Sequence, residues 1–233
     1  MLPASRESIL AELDDGAAVL DVGGWGRPFA RADWVIDLMP YETRGLYGEP
    51  DPHPERFSAA TWVTRDICSH DPWPFADDQF DFVVCSHTLE DVRDPVWVCA
   101  EMNRVGRAGY IEVPVRVEEQ TFGMHGPWVG WSHHHWLTEV SEGAIEFILK
   151  PHLLHGRSEF WVDRAWTTGL GPEDRVSTLF WEGSFEFSER IFFVADELHE
   201  FLAGVVTPEN AFRPEAKKRR RIPGLRRARR TPA

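Results

Sequence analysis

Three groups of residues in this chain have types and spacings that suit chemistry. The first is the run Ala17-Ala18-Val19-Leu20-Asp21-Val22-Gly23-Gly24-Trp25-Gly26. Small and apolar residues lead into an acid, and glycines follow where backbone must approach something closely. A second apolar segment, Trp34-Val35-Ile36-Asp37-Leu38, also carries an acid near its end. An acid at such a strand end can accept both hydroxyls of a ribose, so the pair reads as a cradle for a nucleoside-bearing cofactor. The other reading open here is that Asp21 and Asp37 cap turns and that Gly23, Gly24 and Gly26 serve tight geometry. The third group is Trp131-Ser132-His133-His134-His135-Trp136. On a strand, His133 and His135 face one way and His134 the other. With His125 nearby, they suit a proton-handling pair or the lining of a polar pocket. No carboxylate or thiol accompanies them at ligand spacing, so no metal site is expected. The neighbouring tryptophans offer apolar faces with polar edges, which suit sugars or flat rings, and equally a tryptophan-rich β core.

The elements that must position these residues follow from pattern. Ser5 is placed to cap a first helix with Ile9, Leu10 and Leu13 on one face. Strands are predicted over 17–22, 34–39, 61–67 and 80–85, the last nearly continuous in apolar residues, as in a parallel strand covered on both faces. Asp94-Pro95 opens a helix with a capping acid and a proline at its first position, and Gly106 stops it. A fifth strand covers 109–117. This order predicts an α/β fold, a Rossmann-like, mostly parallel sheet over residues 1–117. Beyond it, 135–140 and 144–149 read as a β-hairpin around Ser141-Glu142-Gly143, and 185–187 with 191–194 as a later strand pair. A closing helix is predicted over 196–205. Residues 118–212 are thus expected to form a β-rich, antiparallel C-terminal part that shapes the substrate site within the same compact unit.

Bulk properties narrow the function classes. The 233 residues carry a net charge of −13 and are 42% hydrophobic, as in a globular domain with a real core. No apolar run is long enough to cross a bilayer, and Met1-Leu2-Pro3-Ala4-Ser5-Arg6-Glu7 lacks the pattern of a secretory signal, so a cytoplasmic location is expected. Cys68, Cys85 and Cys99 are widely spaced in apolar contexts and read as buried thiols. The segment from Lys217 to Arg230 holds nine of the 25 basic residues and no acid, which leaves the body more acidic than the whole and unsuited to nucleic acid. The tail, residues 213–233, has too few apolar residues to fold alone; it reads as a solvated terminus or as a contact for an anionic membrane or an acidic partner.

The run from Asp66 to Pro95 resembles the middle of a class I S-adenosylmethionine-dependent methyltransferase of the methyltransferase type 11 kind. The matching pieces are Asp66, Pro74-Phe75, Asp78, Phe80-Asp81, Val83, Ser86-His87, Leu89-Glu90 and Asp94-Pro95, with spacing kept without a gap. With the first strand, the resemblance covers about residues 19–117. It implies S-adenosyl-L-methionine as cofactor. Asp21, Gly23, Gly24 and Gly26 would line its methionine end, and Asp37 would take the ribose hydroxyls. Asp66 would bond the adenine amino group, with Ile67 near the ring. Ser86 and His87 would face the transferable methyl, and His87 would be the candidate base, with His133 and His135 as further catalytic candidates. The expected activity is O- or N-methyl transfer to a small molecule or glycan. The alternative is a methyltransferase-like protein that binds or scaffolds without catalysis. A nicotinamide-linked enzyme is disfavoured, because G-x-G-x-x-G followed by a full helix is absent.

Two departures from the family pattern are visible. The glycines do not follow the usual D-h-G-x-G-x-G spacing, since Trp25 and Arg27 stand at two of its positions. Only residues 27–33 separate Gly26 from the second strand. A helix there would rise about 10 Å, so it must shrink to a turn.

Overall fold

The computed structural model describes residues 1–47 and 53–214. The basic segment from Lys217 to Arg230 lies outside them.

The main sheet has six strands: β1 (Val19–Val22), β2 (Trp34–Asp37), β3 (Trp62–Thr64), β4 (Phe82–Ser86), β5 (Ala108–Pro114) and β8 (Val176–Glu182), in the order β3-β2-β1-β4-β5-β8. The first five run parallel, and β8 closes the β5 edge antiparallel. Within the strands, alternate residues feed opposite cores. Leu20, Val22, Ile36, Val83, Cys85 and Ile111 point to one face, and Val19, Val35, Val84 and Tyr110 to the other. Helix α2 (Pro95–Val105) covers the first face with Val98, Met102 and Val105, all 0% exposed. Its opening is as predicted: the Asp94 carboxylate accepts from the Trp97 amide at 2.9 Å, and Pro95 follows. The second face is covered by Ile9 of α1 (Pro3–Glu12) and by Phe29 and Phe57 from loops.

That second face explains the shortened link between β1 and β2. Residues 23–33 contain no helix. Phe29 and Ala32 close a tight turn, with the Ala32 amide 2.8 Å from the Phe29 carbonyl. The segment after β2 folds back, and the amides of Gly45 and Tyr47 donate to the carbonyls of Trp25 and Gly26. Phe57 and Trp62, in tilted contact with centroids 5.8 Å apart, occupy space that a crossover helix would otherwise cover.

The C-terminal part carries a second sheet of β6 (Trp136–Ser141), β7 (Ala144–Leu149) and β9 (Glu186–Glu189), in the order β6-β7-β9. The predicted hairpin is β6 and β7, in antiparallel register around Ser141 and Ala144. Short helices α3 (Arg116–Glu119) and α4 (Arg164–Thr167) and the closing helix α5 (Ala195–Ala203) complete the chain.

Several expectations are corrected. Ser5 lies inside α1, which starts at Pro3 with Leu2 at the cap position, because proline there needs no amide partner. Residues 191–194 form no strand; Phe193 is 90% exposed, and the third strand of the small sheet is β9, parallel to β7. β8 was not foreseen, and it makes the C-terminal part continuous with the main sheet. His133 and His135 do not share a strand face, since His133 lies in a turn and β6 starts only at Trp136. Cys68, Cys85 and Cys99 are free and buried, and burial pushes the Cys85 and Cys99 thiols well up. Among the described residues, no helix is long and apolar enough to cross a membrane.

Candidate cofactor and substrate site

A cleft of about 1160 Å³ opens along the carboxyl ends of β1, β2 and β4. Parallel sheets present their ligand edge there, because the connecting loops diverge beyond the strand tips. Asp21, Asp37 and Asp66 all line this cleft, as do Gly23, Gly24 and Gly26.

Asp21 is 3% exposed and accepts the Phe29 amide at 2.8 Å. Burial pushes its pKa up to about 7, against the pull of that amide, and the charge of Asp37 adds to the rise. Gly24 is required by this carboxylate: a Cβ at residue 24 would stand 2.2 Å from Asp21 Oδ2. Gly23 has φ +75, and a Cβ there would meet Thr88 at 2.2 Å. The glycine turn is therefore shaped by contacts to Asp21 and Thr88.

Asp37 is 8% exposed. Its Oδ2 accepts the Trp25 amide at 3.0 Å and its Oδ1 the Met39 amide at 2.7 Å. Burial raises its pKa, and these amides oppose the rise. The turn-capping reading of Asp21 and Asp37 thus holds in the structure, yet each carboxylate still faces the cleft. Asp37 is held there by backbone amides alone, with no basic side chain among the described residues paired to it. Beside it, Leu38 is 63% exposed while Ile67 is 6% exposed, an apolar pair bordering the cleft.

Asp66 is more engaged than expected. Its Oδ1 accepts the Cys68 amide at 2.9 Å, and Arg93 Nη1 lies 2.7 Å from its Oδ2. Arg93 also donates to the Cys68 carbonyl at 2.7 Å. Although burial works the other way, the Cys68 amide and Arg93 hold Asp66 below the usual carboxylate range.

Ser86 and His87 meet an acid that sequence reasoning missed. Glu112, in β5, is 1% exposed; its Oε1 accepts Ser86 Oγ at 3.0 Å, and its Oε2 accepts Tyr110 Oη at 2.5 Å and the Leu2 amide at 2.7 Å. His87 lies between two carboxylates, Nε2 at 3.3 Å from Glu112 Oε1 and Nδ1 at 3.3 Å from Glu90 Oε1. Its backbone has φ 55, unusual outside glycine, and its amide is tied to the Glu112 carbonyl at 2.9 Å. Burial disfavours the charged ring, but Glu112 and Glu90 outweigh it and raise the His87 pKa to about 9. Both ring nitrogens thus face carboxylates, which favours the charged ring; to act as a base, His87 would first have to lose that proton. The signal for Glu112 was present: an acid inside the otherwise apolar run Tyr110-Ile111-Glu112-Val113 of a doubly covered strand.

The histidine cluster closes the far side of the cleft. His134 is the buried member, with a side chain 7% exposed and Nδ1 2.6 Å from Glu119 Oε1. Lys150 Nζ sits 2.8 Å from Glu119 Oε2. Burial alone would lift Glu119, but His134 and Lys150 prevail and hold it ionised. His125 Nδ1 pairs with Ser132 Oγ at 2.8 Å. His133 and His135 both line the cleft, but the partner of His133 is His134, ring centroids 4.6 Å apart. A carboxylate does accompany them: Asp91 lies 4.0 Å from His133 and 3.9 Å from His134. Spacing along the chain could not reveal it, because Asp91 arrives from the loop after β4.

A family model described as a methyltransferase domain matches residues 47–111. No curated protein matches the chain. Among solved structures, an S-adenosylmethionine-dependent methyltransferase from Mesorhizobium loti is similar at 16% identity and TM-score 0.36, covering 63% of this chain and 64% of that one. One from Aquifex aeolicus has 17% identity and TM-score 0.32 over 48% and 64%. One from Methanosarcina mazei has 15% identity and TM-score 0.39 over 60% and 87%. The chain thus spans less than two thirds of the length of the first two. The matched segment contains the block from Asp66 to Pro95 and ends in β5, so this part of the chain is similar to a methyltransferase domain.

Proposed function

We propose that this protein transfers a methyl group from S-adenosyl-L-methionine to an oxygen or nitrogen of a small molecule or glycan. The observation that carries the reading is that Asp21, Asp37 and Asp66, from the ends of three strands, line one cleft together with Ser86 and His87. The residues fit the cofactor. Asp37 lines the cleft without a basic partner among the described residues and could accept from ribose hydroxyls, and Leu38 and Ile67 offer apolar surface for a flat ring. The turn at Gly23 and Gly24, with Asp21 behind it, suits the methionine end. Asp66 can reach an adenine amino group by sharing an oxygen with Arg93.

When bound, the cofactor supplies an electrophilic methyl group, and the protein supplies placement. Orientation and exclusion of water can contribute up to about 7–11 kcal/mol to such a displacement. His87, whose two ring nitrogens are turned to Glu112 and Glu90, lines the cleft as a cationic contact for the acceptor. Trp131 and the histidines beside it form the wall against which a small ring or sugar would lie. A cytoplasmic location belongs to the same proposal.

The non-catalytic alternative is favoured by one feature: Asp66, the intended adenine partner, already holds Arg93. Incubating the full chain with S-adenosyl-L-methionine and a panel of phenols, amines and glycosides separates the two. Acceptor-dependent appearance of S-adenosylhomocysteine supports transfer. Cofactor binding without turnover on any acceptor class supports the binding role.

A further inference from the structure

At the mouth of the cleft, Asp91, His133 and His134 each present one ligand atom, and these atoms lie within 4.8 Å of one another. We propose that these three side chains form a site for a divalent ion of the zinc class, open on one side to the cleft.

Four observations support it. The closest approaches, 4.0 Å from His133 Nε2 to Asp91 Oδ2 and 3.9 Å from His134 Nε2 to Asp91 Oδ1, are too long for hydrogen bonds. Ligand atoms about 2.1 Å from a tetrahedral ion stand about 3.4 Å apart, so atoms already within 4.8 Å of one another need to close by no more than about 1.4 Å. Next, Asp91 Oδ1 is buried without a hydrogen bond. Buried carboxylate oxygens without partners are costly unless a cation satisfies them.

His134 is also held as a metal-binding histidine is held. Its Nδ1 faces Glu119 Oε1 at 2.6 Å, and Glu119 is in turn anchored by Lys150. A proton placed on Nδ1 leaves the Nε2 lone pair directed at Asp91 and His133, which is the usual outer support of a ligating imidazole. Finally, two imidazoles with one carboxylate favour borderline transition ions over calcium or magnesium, which prefer oxygen alone. Three protein ligands leave a position free, and all three line the cleft, so that position faces any acceptor bound there.

The test uses the full chain after dialysis against a chelator. Zn²⁺ is titrated by calorimetry and Co²⁺ by visible absorption. One ion per chain is expected, with a Co²⁺ spectrum of low coordination number. His133→Ala and Asp91→Asn, both at partly exposed side chains, should each weaken binding about 10- to 100-fold, while His152→Ala should not. Absence of binding overturns the proposal. So does binding that survives both His133→Ala and Asp91→Asn, which would place the ion on other histidines.

Discussion

At the scale of single residues, the site is governed by how burial and partners set charge. Asp21 has a folded pKa of about 7 against an unfolded value near 3.8, so the folded chain binds the extra proton between them. Stability from this group therefore falls as pH rises from about 4 to about 7, by roughly 4 kcal/mol in total. Asp21→Asn keeps an acceptor for the Phe29 amide and should flatten that slope, as read by urea unfolding at pH 5 and pH 7.5. His87 acts in the same sense, in a higher pH window. Its folded value of about 9 lies above the unfolded value of 6.5. Its contribution is complete below about pH 6.5 and is lost as pH rises through about 9. In Glu112→Gln, the His87 ring should titrate at lower pH in an NMR titration; an unchanged midpoint would remove Glu112 as the cause.

At the scale of elements, the parts that follow a local rule were legible and the parts set by distant partners were not. Asp94-Pro95 announces α2 by capping chemistry alone, and Asp94→Ala should cost about 1 kcal/mol in thermal or chemical unfolding. Val83 and Val84 announce a strand buried on both faces. The hairpin of β6 and β7 follows from alternation around Glu142-Gly143. β8 follows no such rule. Val176 to Glu182 pairs with β5 across more than sixty residues, so its place depends on a contact no window of sequence contains. The glycine turn was legible as a close approach, but its partner was not. A Cβ at residue 24 would strike the Asp21 carboxylate, so Gly24→Ala should displace Asp21 and destabilise the fold by about 1–3 kcal/mol. Wild-type unfolding by Gly24→Ala would show that the turn has room to relax.

At the scale of the whole molecule, the C-terminal part is joined to the sheet by Arg116, whose Nε lies 3.0 Å from Glu139, as well as by β8. Within that part, Arg175 holds Glu118 at 2.6 Å, and Lys150 with His134 holds Glu119. Glu119 and Lys150 are 1% and 5% exposed at their side chains. Lys150→Met leaves a buried carboxylate with one partner fewer and should cost about 3–5 kcal/mol; a loss below 1 kcal/mol in chemical unfolding would show the pair to be dispensable. These bonds place His133 and His134 opposite the strand-end acids, and so decide what the cleft can accept. The three acids were legible from their positions after apolar runs, whereas Glu112, Asp91 and Arg93 were not, because each acts through a neighbour brought by the fold. The central claim is that this cleft receives an adenosyl group. Calorimetric titration of S-adenosylhomocysteine into the full chain tests it most directly. The account predicts one site per chain, weakened at least about tenfold, or about 1.4 kcal/mol, by Asp37→Asn. Folded wild-type protein that gives no heat, or an affinity indifferent to Asp37, would contradict it.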